Sequence, residues 1–201
     1  MRSSLFALTL AAVVTMFVAE AGPPLICHPY NIGDAKSLPW GAGQAWDARD
    51  ASYNVQNLAK DTLAILNSGA PVLARMETLR RAVIYGSGDH AVARELLARL
   101  EASSQNQARP NALAYFDYGF FVGSLKQIQW LYKEDITGGV DGYSFVKKAL
   151  EMNPDSAEMH FAAAITTSDP PRPDERDAHL AKARAAKSDT LLAENLATHI
   201  R

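Results

Sequence analysis

Residues 113–132 read LAYFDYGFFVGSLKQIQWLY, and the fold turns on them. Seven of the chain's 17 aromatic residues fall between Tyr115 and Tyr132. Set out at about 100° per residue, Leu113, Phe116, Phe120, Phe121, Leu125, Ile128 and Leu131 share one broad apolar face. Asp117 and Ser124 fall inside it, and Tyr115, Tyr118 and Val122 lie opposite. Gly119, Gly123 and Trp130 form a third strip, where small residues admit a neighbouring helix. A helix that is apolar nearly all round is a buried one. The segment from Pro110 to about Lys133 is therefore expected to be the spine on which the rest of the chain packs.

On both sides of the spine the apolar residues recur at three and four, the helical period. A first helix is expected from about Asp47 to Asn67, ended by Gly69, and a second from near Pro71. A third follows the Gly86-Ser87-Gly88-Asp89 turn, with Asp89 as its cap. Beyond the spine, Gly138-Gly139 breaks the chain and Asp141 caps a fifth helix, Asn153-Pro154 turns into a sixth, and Pro170, Pro171 and Pro173 precede a seventh. Ser188-Asp189 starts the last. The expected class is all-α: about eight helices in antiparallel hairpins from residue 46 to 201, with an extended arm before them.

That arm, residues 22–45, carries Pro23, Pro24, Pro29 and Pro39, a density that blocks helices and favours extended backbone. It also carries Leu25, Ile26, Tyr30, Ile32, Leu38 and Trp40, more large apolar side chains than a disordered linker spends. An ordered arm lying across the helices is expected. Ahead of it, Arg2 is the only charge before an uncharged run from Leu5 to Val18 that ends in Ala19-Glu20-Ala21. Those 14 residues are too few to span a bilayer as a helix. The layout is that of a cleavable secretory signal over residues 1–21, cut before Gly22, which places the mature chain in the periplasm or outside the cell. The alternatives are an uncleaved anchor or lipid attachment at Cys27, against which the bulky Leu25-Ile26 counts.

The chain has 201 residues, a net charge of −2 and a single Cys. The charge balance excludes a strongly basic nucleic-acid binder, and one Cys excludes an internal disulfide framework or a multi-Cys zinc site. No further long apolar run follows the signal, so no membrane span is expected in the mature chain.

The stretch Gly142-x-x-x-Val146-x-x-Ala149-Leu150-x-x-x-Pro154, followed by Phe161-Ala162-x-x-Ile165 and Ala178, has the residue spacing of tetratricopeptide repeats. From Asp141 to Lys187 the chain resembles that family, as a degenerate form, and the resemblance implies stacked helical hairpins, a TPR-like solenoid. The Cys27-His28-Pro29, Ile32-Gly33 and Ser37-Leu38-Pro39-Trp40 stretches are similar to the start of exported bacterial helical proteins, a likeness that implies no activity.

Four residues are singled out for binding. Asp117 is a carboxylate among aromatics, which disfavours its charge unless a cation compensates, with Arg75, Arg80 and Arg81 available on the second helix. Tyr118 adjoins it. Cys27 and His28 sit in the arm, where neighbours on extended backbone point to opposite faces and are poorly placed to clamp one ion. Gly86-Ser87-Gly88-Asp89-His90-Ala91 matches a dinucleotide fingerprint in letters only, because a helix and not a strand precedes it. The five His residues are scattered; His160 and His179 are the two that can meet across the sixth and seventh helices, and a solvated or core-satisfied role is the default expectation for them. No catalytic role, cofactor or metal is assigned to any residue. The leading expectation is an exported helical-repeat module that binds or scaffolds a protein or peptide of the envelope. The alternative is a small-molecule-binding or hydrolytic protein with its site around Asp117.

Overall fold

The computed structural model describes residues 24–43, 45–168, 170–186 and 189–200, so the expected signal at 1–21 lies outside the described residues. The described residues are all-helical and contain no strand; a lone bridge joins Ser168 to Pro171. The helices are α1 (Leu58–Asn67), α2 (Val72–Gly86), α3 (His90–Ser104), α4 (Ala112–Gln127), α5 (Gln129–Tyr132), α6 (Gly142–Met152), α7 (Ala157–Thr166), α8 (Pro173–Ala185) and α9 (Thr190–His199).

Short polar side chains set many of the boundaries. Asp89, Asn111, Asp141, Ser156 and Asp189 each accept a hydrogen bond from a first-turn amide of α3, α4, α6, α7 and α9. The first helix starts later than its periodicity predicts. The Asp50 carboxylate takes the Ser52 amide and hydroxyl at 2.8 and 2.7 Å, and Asn54 takes the Gln56 amide at 3.1 Å. These side chains offer the backbone an alternative to the helix, so residues 47–57 form turns and one short 3-10 segment.

The aromatic segment is central, and every residue from Phe116 to Leu125 is buried. Helices α2, α3, α6 and α7 all pack on α4. The expected single helix to Lys133 breaks at Ile128, and Lys133 takes a left-handed conformation (φ 56°). The break turns Tyr132 inward, where its hydroxyl donates to the Val83 carbonyl of α2 at 2.7 Å. It also turns Trp130 out, 64% exposed, away from the glycine strip where the wheel put it. Gly119 and Gly123 face α6, whose first residue Gly142 sits against both.

The arm runs over α2, α4 and α9. Leu25, Ile26, Tyr30 and Leu38 are buried in the common core. The Leu25 amide donates to Gln127 Oε1 of α4 at 2.8 Å, and the Tyr30 amide donates to Glu77 Oε2 of α2 at 3.0 Å. Arg80 donates to the carbonyls of Ile26 and Trp46, each at 3.0 Å, and Arg81 donates to that of Leu38. A proline-rich segment has few amides to offer a ladder, so side chains of the helices hold it instead.

Candidate functional site

Asp117 lies on the side of α4 that faces α1 and α2. Its partner is Arg75, whose Nη1 donates to Oδ2 at 2.5 Å. Arg75 is fixed from three sides: its Nε donates to the Ala70 carbonyl, in the loop before α2, at 2.9 Å and its Nη2 to the Leu66 carbonyl in the last turn of α1. The Leu66 carbonyl is one of the orphan acceptors a helix end leaves unpaired. Both side chains are almost wholly buried. Asp117 Oδ1 is buried too and has no hydrogen-bond partner among the described residues. Burial pushes the carboxyl up to about 7, an effect that Arg75 only partly offsets.

The pair lines a cleft of about 450 Å³. Leu63, Leu100 and Leu113 supply an apolar wall, while Asn67, Ser103, Asn106, Arg109 and Asn111 supply a polar rim from the end of α1, the end of α3 and the loop into α4. Asn111 spends its carbonyl oxygen on the Leu113 amide, at 2.9 Å, and keeps its NH2 group free for other bonds. Ser103 donates to the Arg99 carbonyl at 2.9 Å.

The other three residues singled out lie elsewhere. Tyr118 follows Asp117 but turns toward α6, with its ring edge-on to Phe145 at 4.7 Å. Burial, with Glu101 nearby, pushes its hydroxyl up. Cys27 is half-buried and lines a small apolar hollow of about 160 Å³ with Ile26, Trp46, Ile128 and Trp130. Burial raises its thiol. His28 is exposed and meets His199 edge-on at 5.8 Å. Asp117 and Tyr118 are thus separated by the faces of one helix, and neither is grouped with Cys27 or His28.

The chain matches no protein-family model, no curated protein and no solved structure.

Two further clusters are built as carefully as the cleft. Glu77 is fully buried and accepts four hydrogen bonds, from the Tyr30 amide, Arg81 Nε at 2.7 Å, and Arg80 Nε and Nη2 at 2.8 and 3.1 Å. Arg80 and Arg81, both weighed as partners for Asp117, therefore serve the arm. At the other end of the molecule His160 and His179 meet, Nδ1 to Nδ1 at 2.8 Å. His179 Nε2 lies 2.8 Å from the Tyr143 hydroxyl, which donates to Glu175 at 2.5 Å. His160 Nε2 donates to the Pro154 carbonyl at 2.9 Å, which uses that nitrogen as a donor and not as a metal ligand. Among the described residues no three His, Cys, Asp or Glu side chains are grouped to hold a metal ion. No described helix is long and apolar enough to cross a membrane. The Gly86–Asp89 turn joins α2 directly to α3, with Gly86 against Ala93 and Tyr132, so Gly86 serves a helix crossing.

Nothing in the local sequence marks the polar rim as a site. Its residues come from the end of α1, the end of α3 and the loop into α4, and only the packing of α1 and α4 on α3 gathers them. Glu77 was also missed. Its i+3 and i+4 spacing to Arg80 and Arg81 was the available signal.

Proposed function

We propose that this chain is an exported binding module of stacked helical hairpins, tetratricopeptide-like from Asp141 to Lys187, and that it takes a peptide segment of an envelope protein in the Arg75–Asp117 cleft. The observation that carries this reading is the cleft's combination of a buried ion pair at its base, carboxamides at its rim and a leucine wall. A side-chain amide carries the same donor and acceptor groups as a peptide bond, so Asn67, Asn106 and Asn111 suit an extended backbone. Arg109 has no ion-pair partner among the described residues and is placed to take an acidic group. The lining includes no His or Cys, and its one hydroxyl is bonded to a backbone carbonyl, which favours binding over turnover. Export rests on the Arg2, Leu5–Val18 and Ala19-Glu20-Ala21 layout.

The test is a random peptide library screened against the tagged protein, with Asn106→Ala and Arg109→Ala in parallel. Enriched peptides that lose at least tenfold in affinity on both variants support the reading. Peptides that bind the variants equally, or no enrichment, refute it.

A second reading, a small-molecule or hydrolytic site, is favoured by one feature: burial pushes the Asp117 carboxyl up to about 7 inside a cleft of ligand size. It requires turnover of a model ester or amide that Asp117→Asn abolishes.

A further inference from the structure

His199 closes α9 and lies against the arm. Its ring stacks on Tyr30, with centroids 4.4 Å apart and planes inclined by 8°. Phe161 of α7 and His28 of the arm both meet it edge-on, each at 5.8 Å. Nδ1 stands 3.4 Å from the Pro24 carbonyl oxygen, and Nε2 is buried with no hydrogen-bond partner among the described residues. One turn earlier, Asn195 exchanges two bonds with Asn31: its Oδ1 accepts the Asn31 amide at 2.9 Å and its Nδ2 donates to the Asn31 carbonyl at 2.8 Å. The main helix neighbour of α9 is α8. The arm and the last helix therefore hold each other in place, with His199 at the centre of the joint.

The groups that face this ring decide what a proton does there. From the arm come His28 and the Tyr30 phenol, which burial keeps protonated. From α2 comes the Arg80 guanidinium, with Glu77 beside it. From α7 comes Phe161, which carries no titratable group. Glu77 is the only carboxylate in this set, and Arg80, Arg81 and the Tyr30 amide already engage it. A cation formed on His199 thus enters a buried site that holds, among the described residues, a fixed positive charge and no free carboxylate. The Tyr30 face returns part of that cost as a cation–π contact.

We propose that His199 is an acid-operated latch on the arm: protonation of its ring unseats residues 24–33 together with α9 and uncovers the apolar surface of Phe120 and Phe161, on which Tyr30 rests. Burial, opposed by the Pro24 and Pro29 carbonyls and aided by His28 and Arg80, holds this imidazole down to about 4, against an ordinary value of 6.5. Because the seated ring binds its proton less tightly than a released one, the hold is complete above about pH 6.5 and is lost as pH falls toward about 4.

The test uses the full chain and the variant His199→Phe, which keeps a ring against Tyr30 and cannot titrate. Between pH 7 and 4.5 the unmodified chain should gain several-fold in binding of a hydrophobic fluorescent dye. Amide exchange, corrected for its intrinsic pH dependence, should rise at 25–33 and 191–199 while α4 stays protected. His199→Phe should show neither change. Equal behaviour of the two chains overturns the latch, and so does opening of α4 together with the arm. Where the variant does not fold, the ring resonances of His199 in the unmodified chain decide. A midpoint below 6.5 that coincides with shifts of arm signals supports the proposal; a midpoint at or above 6.5, or no coincident shift, overturns it.

Discussion

Gly119 and Gly142 press backbone on backbone where α4 crosses α6. A Cβ on Gly119 would stand 2.5 Å from the Gly142 carbonyl oxygen and 2.8 Å from the Val146 amide nitrogen. Both obstacles are main-chain atoms inside helices, so neither can swing aside. Gly119→Ala should destabilise the protein by about 1–3 kcal/mol, the usual cost of overpacking. Thermal unfolding should show a fall of roughly 2–4 °C per kcal/mol for a chain of this size. An unchanged melting temperature would mean that the two helices are free to part.

Glu77 joins the arm to α2 through one amide and two guanidinium groups. Deleting one partner of a buried ion pair leaves charge uncompensated, which costs about 3–5 kcal/mol. Glu77→Ala should lose stability on that scale in denaturant titration, and the amides of residues 25–38 should lose exchange protection. Glu77→Gln should fall between, since an amide still accepts from the Tyr30 N–H. If Glu77→Ala left the arm protected, the apolar anchors Leu25, Ile26 and Leu38 and the bonds from Gln127 and Asn195 would suffice to hold it.

The same helix shows where sequence reading stopped. The helical period puts Asp117 on the buried face of α4, and of the three cations available on the second helix, Arg75, Arg80 and Arg81, the structure pairs it with Arg75. Choosing Arg75 was within reach, because five residues turn a helix by about 140°, so Arg75 and Arg80 face different ways. What Arg80 meets was out of reach, because it binds carbonyls of an arm whose path no periodicity encodes. All-α architecture was legible because helices declare themselves by local spacing and by caps such as Asp89 and Asp141. The cleft was not, since its rim joins the ends of α1 and α3 only after both have packed.

Asp117 should leave a signature in the pH dependence of stability. Its carboxyl sits near 3.8 when unfolded and at about 7 when folded. A raised carboxyl binds its proton more tightly in the native state. Its contribution is therefore most favourable below pH 4 and weakens as pH rises through 7. The full difference corresponds to at most about 4 kcal/mol. Asp117→Asn cannot titrate, so the variant should gain on the unmodified protein between pH 4 and pH 8. Parallel stability curves across that range would show that Arg75 holds Asp117 ionised throughout.

His179 should act in the opposite sense over much of the same range. Burial comes first among the causes, then the neighbouring His160 and Lys182, and together they hold its imidazole down to about 4. The pair at 2.8 Å has room for one proton between the two nitrogens, so both rings cannot be protonated there at once. A histidine whose native value lies below its unfolded 6.5 binds protons less well when folded. Its contribution is whole above about pH 6.5 and is lost as pH falls toward about 4. His179→Gln removes that dependence while keeping a polar group near Tyr143. Unfolding followed from pH 7 down to pH 4 should then show a shallower loss for the variant than for the unmodified chain. In the double variant with Asp117→Asn the two changes should add, since the residues lie in separate clusters with no shared partner. A loss as steep in His179→Gln as in the unmodified chain would move the acid sensitivity to His199, the other imidazole held near 4.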